Sequence, residues 1–192
     1  MHQNEKDLLE EAIEGNREAL MKLIRKHEPL VAATVIGMLG PGPEAEDVGQ
    51  ETFIRFYKSL PRFRGDSTLG TYLTRIAINL SLNQIKRRRH VRARFHTDTS
   101  DKIDHYPDLD RTIERNEARK LIQNGLQSLE PKFRSVLVLR LIHGFSTSET
   151  AGILKLPTGT VLSRLARGQQ KLRKILEPLY GKDLNEKGNG HE

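Results

Sequence analysis

Three groups of side chains in this sequence could recognise another macromolecule, and the first lies between residues 61 and 94. Arg75, Asn79 and Asn83 recur at steps of four residues, with Lys86 or Arg87 following, so they lie along one side of a helix. Six cations occur within nine residues at the end of this helix, at Lys86, Arg87, Arg88, Arg89, Arg92 and Arg94. Such a density of positive charge is typical of a surface that neutralises phosphates, so the helix predicts nucleic-acid binding.

The second group lies on the last predicted helix, which begins near Thr158. One side of it carries polar or cationic residues at steps of four and three, namely Thr160, Arg164, Arg167, Lys171 and Lys174. A capping-box pattern at residues 146–149 and a turn at residues 156–158 precede it, and a short helix, a tight turn and a longer helix form a helix-turn-helix. The stripe alone is equally typical of a solvated face, whereas its combination with the turn and the small polar residues at the helix start favours DNA binding.

The third group is less specific. Asp47, Gln50 and Glu51 lie outside the apolar stripe of a helix predicted over residues 44–60, and a solvated face is the default interpretation of such residues. Residues 96–110 contain five aspartates and no helical period. We interpret that segment as an acidic linker and not as a metal site, because no rigid element would hold its ligands.

Helices must position all three groups. Asn16 is a predicted cap for a second helix that continues past Pro29 to about Met38, and residues 40–43 end it. Ser67 and Thr68 are candidate caps for the basic helix. Further helices are predicted over residues 111–126 and from Pro131, where a proline suits the first helical position. The fold class is therefore all-α, with two small helical domains joined by the linker.

Composition is consistent with this organisation. The chain has 192 residues, 36% of them hydrophobic, a formal net charge of +7 and no cysteine. These values favour a polyanionic partner and exclude a disulfide scaffold or a cysteine-ligated zinc site. Because no apolar run approaches about 18 residues, we expect a soluble, cytoplasmic protein without direct membrane insertion.

Residues 45–89 and 129–173 resemble a single family. The first stretch, AEDVGQETFIRFYKSLPRFRGDSTLGTYLTRIAINLSLNQIKRRR, is similar to region 2 of the extracytoplasmic-function (ECF) group of bacterial sigma-70 family sigma factors. The second, LEPKFRSVLVLRLIHGFSTSETAGILKLPTGTVLSRLARGQQKLR, is similar to region 4. The resemblance implies a region 2 domain at 1–95 and a region 4 domain at 111–180. The acidic composition of 96–110 predicts a flexible linker between them, and the polar, glycine-rich composition of 181–192 predicts a disordered tail.

The family also implies roles for individual residues. Core RNA polymerase would be bound by Asp47, Gln50, Glu51, Ile54 and Tyr57. The −10 element, as a melted non-template strand, would be bound by Arg64, Asp66, Ser67, Thr68, Arg75, Asn79, Asn83, Lys86, Arg87 and Arg88. The −35 element, as a duplex, would be bound by Pro157, Thr158, Thr160, Ser163, Arg164, Arg167 and Lys171.

By the same resemblance, the protein would direct promoter-specific initiation, need no cofactor or metal, perform no covalent chemistry and be held inactive by an anti-sigma factor. Three residues depart from the usual pattern: Tyr72 replaces a frequent tryptophan, Lys155 a frequent glycine and Leu162 a frequent cation. Two alternatives are a stand-alone DNA-binding regulator, which would bind duplex promoter DNA without polymerase, and a metal-dependent nuclease that uses the acids and histidines of the linker.

Overall fold

The computed structural model describes residues 4–63, 65–95 and 113–186, and all regular structure in these ranges is helical, which confirms the all-α class. The helices are α1 (Glu5–Ile13), α2 (Arg17–Leu39), α3 (Pro43–Ser59), α4 (Leu69–Phe95), α5 (Ile113–Ser128), α6 (Pro131–Leu137), α7 (Thr147–Leu154) and α8 (Thr158–Glu186). A 3-10 turn follows α3 at Leu60–Arg62, and a π-helical turn continues α6 at Val138–Ile142. Arg64, the predicted linker at 96–110 and residues 187–192 lie outside the described residues.

The predicted caps and boundaries of α2 are confirmed. The Asn16 side chain accepts hydrogen bonds from the backbone N–H groups of Glu18 and Ala19, at 3.0 and 3.2 Å. The helix continues through Pro29, and Gly40, with a φ of 86°, ends it. A left-handed φ of this kind suits glycine, which has no Cβ to clash.

Helices α1 to α4 form the first bundle. Its core contains Leu23, Met38, Phe56, Leu73 and Ile78, each of them exposed by 1% or less. These side chains recur at helical spacing in α2, α3 and α4, so each helix buries one apolar side and leaves the other free.

An ion pair attaches α1 to this bundle. The Glu5 carboxylate lies 2.6 Å from the Lys26 Nζ and 3.0 Å from the His27 Nε2. Burial raises the pKa of Glu5, but the hydrogen bonds and charges of Lys26 and His27 outweigh burial, so the pKa is lowered overall. The carboxylate therefore stabilises the fold above its ordinary pKa, and this contribution is lost as the pH falls through the lowered value.

Helices α5 to α8 form the second bundle. Leu137 and Val161 are fully buried in it. Two glycines allow the helices to approach closely: a Cβ on Gly125 would lie 2.8 Å from Leu172, and one on Gly168 would lie 3.3 Å from Leu137. Spacing in the sequence predicts an apolar side of the last helix that includes Val161, Gly168 and Leu172, and this is the side that packs.

Two boundaries differ from the sequence-based expectation. The helix that begins at Pro131 widens into the π-helical turn, in which His143 N–H donates to the Val138 carbonyl. The apolar residues Val136, Leu137, Leu139 and Leu141 predict one buried side for this helix, but the extra residue of the turn shifts the register, and Leu141 is 55% exposed. In addition, α8 runs to Glu186, beyond the boundary placed at residue 180.

Adjacent positions on α3 provide a test of the packing. Phe56 is 1% exposed and Tyr57 is 60% exposed. We expect Phe56→Ala to lower the free energy of unfolding by about 3–5 kcal/mol, because it leaves a cavity. Tyr57→Ala should lower it by about 0.5 kcal/mol or less. Urea denaturation followed by circular dichroism measures both, and similar losses would contradict the assignment of core and surface.

Candidate nucleic-acid interface

One side of α3 combines polar and apolar residues in solvent. Asp47 and Gln50 are exposed, Ile54 is 46% exposed and Tyr57 is 60% exposed. Glu51 lies at the edge of this face and forms an ion pair with Arg55 at 2.8 Å. The structure therefore brings together all five residues of the predicted polymerase-binding set. Exposed apolar side chains with a polar rim are typical of a protein-binding surface, and we call this set the α3 face.

The loop before α4 is held by an aromatic anchor. The Tyr72 ring meets Phe63 edge-on, with the ring centroids 5.1 Å apart, and its hydroxyl donates to the Ser59 Oγ at 2.8 Å. Tryptophan could not reproduce this hydroxyl bond, so Tyr72 has a local physical role. The anchor positions Asp66 and Thr68 at the start of α4, where both are exposed.

The start of α4 agrees with the predicted cap. The Thr68 Oγ1 accepts a hydrogen bond from the Thr71 N–H at 3.2 Å. Ser67 is half-buried, and no capping bond from it is seen among the described residues. The cap is therefore Thr68, one of the two candidates.

Helix α4 exposes most of the predicted polar stripe. Asn79, Asn83, Lys86 and Arg87 are exposed, opposite the buried Leu73, Ala77 and Ile78. Arg75 is half-buried instead, and its Nε has no hydrogen-bond partner within the described residues. Two amide side chains, each with donors and an acceptor, thus stand free beside the cations.

The basic cluster at the end of α4 is only partly free. Lys86, Arg87 and Arg89 are exposed, but the half-buried Arg88 forms an ion pair with Glu44 at the start of α3. Arg88 therefore joins two helices of the first bundle. The cation density was evident from the sequence, whereas this partner lies more than forty residues away along the chain.

The helix-turn-helix in the second bundle is formed as predicted. The Ser146 N–H donates to the Glu149 carboxylate at 2.8 Å, and the Glu149 N–H donates to the Ser146 Oγ at 3.2 Å, which completes the capping box of α7. Hydrogen bonds from Ser146 lower the pKa of Glu149. Lys155 ends α7 with φ 53° and ψ 49°, the left-handed conformation that glycine adopts with less strain.

The exposed face of α8 includes most of the predicted stripe. Arg167, Lys171 and Lys174 are exposed, as are Pro157, Thr158 and Ser163 of the predicted DNA-binding set, whereas Thr160 and Arg164 are half-buried. The Lys171 Nζ is 3.0 Å from the Glu130 carboxylate and 5.0 Å from the centre of the Phe133 ring, so this cation already has partners within the bundle.

Two exposed residues of α8 lie outside the predicted DNA-binding set. Leu162 is 53% exposed, and Arg173 is also exposed. With about 100° of rotation per helical residue, both lie well around the helix from Arg167, so the spacing of the predicted stripe could not have found them.

Metal binding and membrane insertion have no support within residues 4–63, 65–95 and 113–186. No group of three or more His, Asp or Glu side chains there could hold a metal ion. In the same ranges, no helix combines the length and the apolar character that crossing a bilayer requires. The histidines and aspartates of the nuclease alternative lie in 96–110, outside the described residues.

Two helical bundles that expose amide and cationic helix faces, one of them through a helix-turn-helix, define a DNA-binding protein. The Sigma-70 region 2 family matches residues 23–91, and the Sigma-70 region 4 family matches residues 125–174. The region 2 match precedes the region 4 match in one chain. This combination favours a sigma factor over a stand-alone DNA-binding regulator.

Individual sigma factors align with nearly the whole length of this chain. RNA polymerase sigma-H factor of Pseudomonas aeruginosa is 32% identical, over 92% of this chain and 96% of the relative. ECF RNA polymerase sigma factor SigW of Bacillus subtilis is 29% identical, over 91% of this chain and 97% of the relative. A structure of CnrH in complex with the cytosolic domain of CnrY aligns with a TM-score of 0.65 and 26% identity, over 89% and 96% of the two chains.

The chain therefore belongs to the sigma-70 family of RNA polymerase sigma factors, in its extracytoplasmic-function group. It acts in transcription initiation: it binds core RNA polymerase and directs it to promoter DNA. Sigma factors are regulators of transcription.

The turn before α8 generates a stability prediction. We expect Lys155→Gly to raise the free energy of unfolding by about 0.5–1 kcal/mol, because relief of left-handed strain exceeds the added entropy of the unfolded chain. Gly144→Ala is the reverse control, since Gly144 has a φ of 71° and open space around it, and it should cost about 1 kcal/mol. Guanidinium unfolding curves measure both, and a destabilised Lys155→Gly would contradict the argument.

Proposed function

We propose that the three exposed faces divide the work of initiation among them. The α3 face binds core polymerase, α4 with its preceding loop binds the −10 element, and α8 binds the −35 element. The observation that supports this division most directly is that both bundles leave a polar or cationic helix face free while burying the opposite side.

The domain boundaries belong to the same proposal. Residues 1–95 form the domain that binds polymerase and the −10 element, 96–110 act as a flexible tether, 111–180 form the domain for the −35 element, and 181–192 form a tail. The family matches at 23–91 and 125–174 fall within the two proposed domains.

At the −10 element, α4 acts on a melted strand. The exposed amides of Asn79 and Asn83 can each donate to and accept from the edge of an unstacked base. Asp66, Ser67 and Thr68 precede or begin the same helix at its N-terminal end, with Arg64 beside them in sequence. Unstacking a base costs a few kcal/mol, and binding to this face recovers that cost. Arg75 and Arg88 support the surface from half-buried positions, while Lys86 and Arg87 neutralise phosphates.

At the −35 element, α8 enters the major groove. The small residues at its N-terminus, Thr158 and Ser163, approach base edges, and Arg167 is placed for a base or a phosphate. Pro157 and Thr160 form the first turn of the helix, in which the Thr160 N–H donates a hydrogen bond to the Pro157 carbonyl. Arg164 lies at the side of the groove-facing surface, where it contributes a phosphate contact, and Lys171 contributes another by exchanging its exposed ion pair with Glu130 for a phosphate.

Regulation and location follow from the family. We propose that the protein acts in the cytoplasm, performs no covalent chemistry and is held inactive by an anti-sigma factor that covers its polymerase-binding surface. The CnrH structure, in which a relative is bound to the cytosolic domain of another protein, supports control by a protein partner.

Core-dependent transcription tests the proposed function directly. The purified chain is mixed with sigma-free bacterial core polymerase and a genomic promoter library, and the transcript starts are sequenced. Starts that share two spaced upstream motifs are expected. Tight duplex binding by the chain alone, with no transcription from core, would overturn the proposal.

The α3 face predicts a polymerase-specific defect. Tyr57→Ala should weaken binding to core polymerase about tenfold or more, because a large aromatic contact is lost. Met21→Ala removes a similarly exposed apolar side chain, 47% exposed, from α2 and should change binding less than twofold. Fluorescence titration with core measures both affinities, and equal effects of the two substitutions would refute the placement of this face.

The two DNA faces predict separable defects. Asn79→Ala should slow promoter opening about tenfold, with little change in duplex binding, because it removes a contact made only to an extruded base. Arg167→Ala should weaken recognition of the −35 duplex by about 1–3 kcal/mol. Arg25→Ala removes an equal charge from an exposed site on α2 as a control. Permanganate footprinting separates opening from binding, and identical effects of Asn79→Ala and Arg167→Ala on both steps would contradict the division.

A further inference from the structure

Glu130, just before α6, binds two lysines on the surface of the second bundle. Each of its carboxylate oxygens contacts a different ammonium group, the Lys132 Nζ at 2.7 Å and the Lys171 Nζ at 3.0 Å. Hydrogen bonds from Lys132 and then from Lys171 lower the pKa of Glu130, so the carboxylate is ionised at neutral pH. Two cations, one from α6 and one from α8, therefore share one anion.

The ring of Phe133 positions the same two lysines without the help of Glu130. The Lys132 Nζ lies 4.9 Å from the ring centre, and the Lys171 Nζ lies 5.0 Å from it. An ammonium group at this distance from an aromatic face is attracted by the negative charge of the ring face. Phe133 itself is only 5% exposed, so its position is fixed by the core. Both lysines therefore stay in place when the Glu130 carboxylate moves away.

The Glu130 carboxylate is not needed to begin α6. Glu130 is the N-cap residue, but within the described residues its side chain accepts no capping hydrogen bond from the helix backbone. Its backbone carbonyl instead accepts hydrogen bonds from the N–H groups of Phe133 and Arg134, at 2.9 and 3.0 Å. About half of each side chain in the two ion pairs remains in solvent, and exposed ion pairs contribute little to stability. Displacing the carboxylate from the lysines therefore costs the fold little.

The two lysines lie beside the surface of α8 that is proposed to face DNA. Lys171 follows Arg164 by seven residues, which is about two turns, so the two cations lie on the same side of α8. Glu130, Lys132 and Arg164 also line one open cleft of about 470 Å³, together with Arg89 of α4. Of the charged residues that the structure describes there, three are cations and one is an acid. Such an excess of positive charge favours an anionic ligand.

We propose that Lys132 and Lys171 form a binding site for a DNA backbone phosphate beside the −35 element, and that Glu130 occupies this site in the free protein as an internal competitor. A phosphodiester, like a carboxylate, carries one negative charge and two oxygens that accept hydrogen bonds. A bound duplex places a phosphate where the Glu130 carboxylate lies. Because phosphate contacts carry no sequence information, Glu130 weakens binding to DNA of any sequence. The proposal rests on the placement of α8 at the −35 element and adds Glu130 and Lys132 to that interface.

Glu130→Gln tests the competition, because it keeps the size of the side chain and removes its charge. We expect the full chain to bind a −35 duplex about fivefold more tightly at low salt, and the plot of log affinity against log salt to steepen by about 0.9, since one more phosphate is neutralised. A duplex of unrelated sequence should show the same gain. Glu28→Gln, at an exposed acid of α2, makes the same change of charge in the first bundle and should alter binding less than twofold.

Fluorescence anisotropy over a series of salt concentrations measures these affinities, and circular dichroism verifies that each variant is folded. A gain from Glu130→Gln no larger than that of the control would overturn the competition. A gain confined to the −35 sequence would overturn the assignment of the site to a phosphate.

Substitution of the lysines separates ion-pair exchange from a general effect of charge. Lys132→Gln alone should weaken duplex binding about threefold, because one phosphate contact is lost. When Lys132→Gln and Lys171→Gln are both present, adding Glu130→Gln should change the affinity less than twofold, because no lysine remains to be released. An undiminished gain in that background would show that Glu130 acts through the overall charge, and would refute the exchange.

The Glu130 carboxyl group reports its own displacement. Its pKa, which the two lysines lower in the free protein, should rise when the −35 duplex is bound, because the lysines turn to a phosphate and negative charge approaches. Carbon-13 magnetic resonance of the carboxyl group measures this pKa with and without duplex, and an unchanged value would contradict the displacement. Failure of the proposed function would be seen separately, as −35 duplex binding that Arg167→Ala does not weaken and as absence of transcription with core polymerase.

Discussion

The structure depends on the burial of α2 along most of its length. This helix packs against α1, α3 and α4 within the first bundle, and its C-terminal end packs against α5 and α6 of the second. Leu23, Val31, Val35 and Met38 are each exposed by 2% or less. Because α2 occupies the centre, its neighbours bury their apolar sides against it, and their other sides remain available for partners.

This arrangement explains why the candidate interfaces lie on helix surfaces and not in a pocket. The α3 face and the amide face of α4 are the solvent sides of amphipathic helices whose inner sides are fixed by Phe56 and Leu73. A face on a rigid helix presents its side chains with a constant spacing, which suits bases in a strand or a groove. Regulation by a protein partner then requires only that the partner cover one of these surfaces.

The sequence was sufficient for much of the fold and for the class of function. Asn16, Thr68 and the Ser146–Glu149 capping box cap their helices as predicted. The five residues of the α3 face also lie together as predicted. Both predictions succeed because caps and helical periodicity depend on residues close together in the chain. The sequence was not sufficient for the exposure of every residue on α8. A half-buried Arg164 and an exposed Leu162 depend on how Val161 packs against another helix.

What the sequence determined by itself was therefore local: helix positions, their apolar sides, and two similarities that together identify a sigma factor. The tertiary structure alone decided which charged side chains are free. Arg88 is paired with Glu44, Lys171 with Glu130, and Arg134 with carbonyls of α2. The physical reason is that the environment of a charge is set by atoms within a few ångströms of it, and folding brings those atoms from distant parts of the chain.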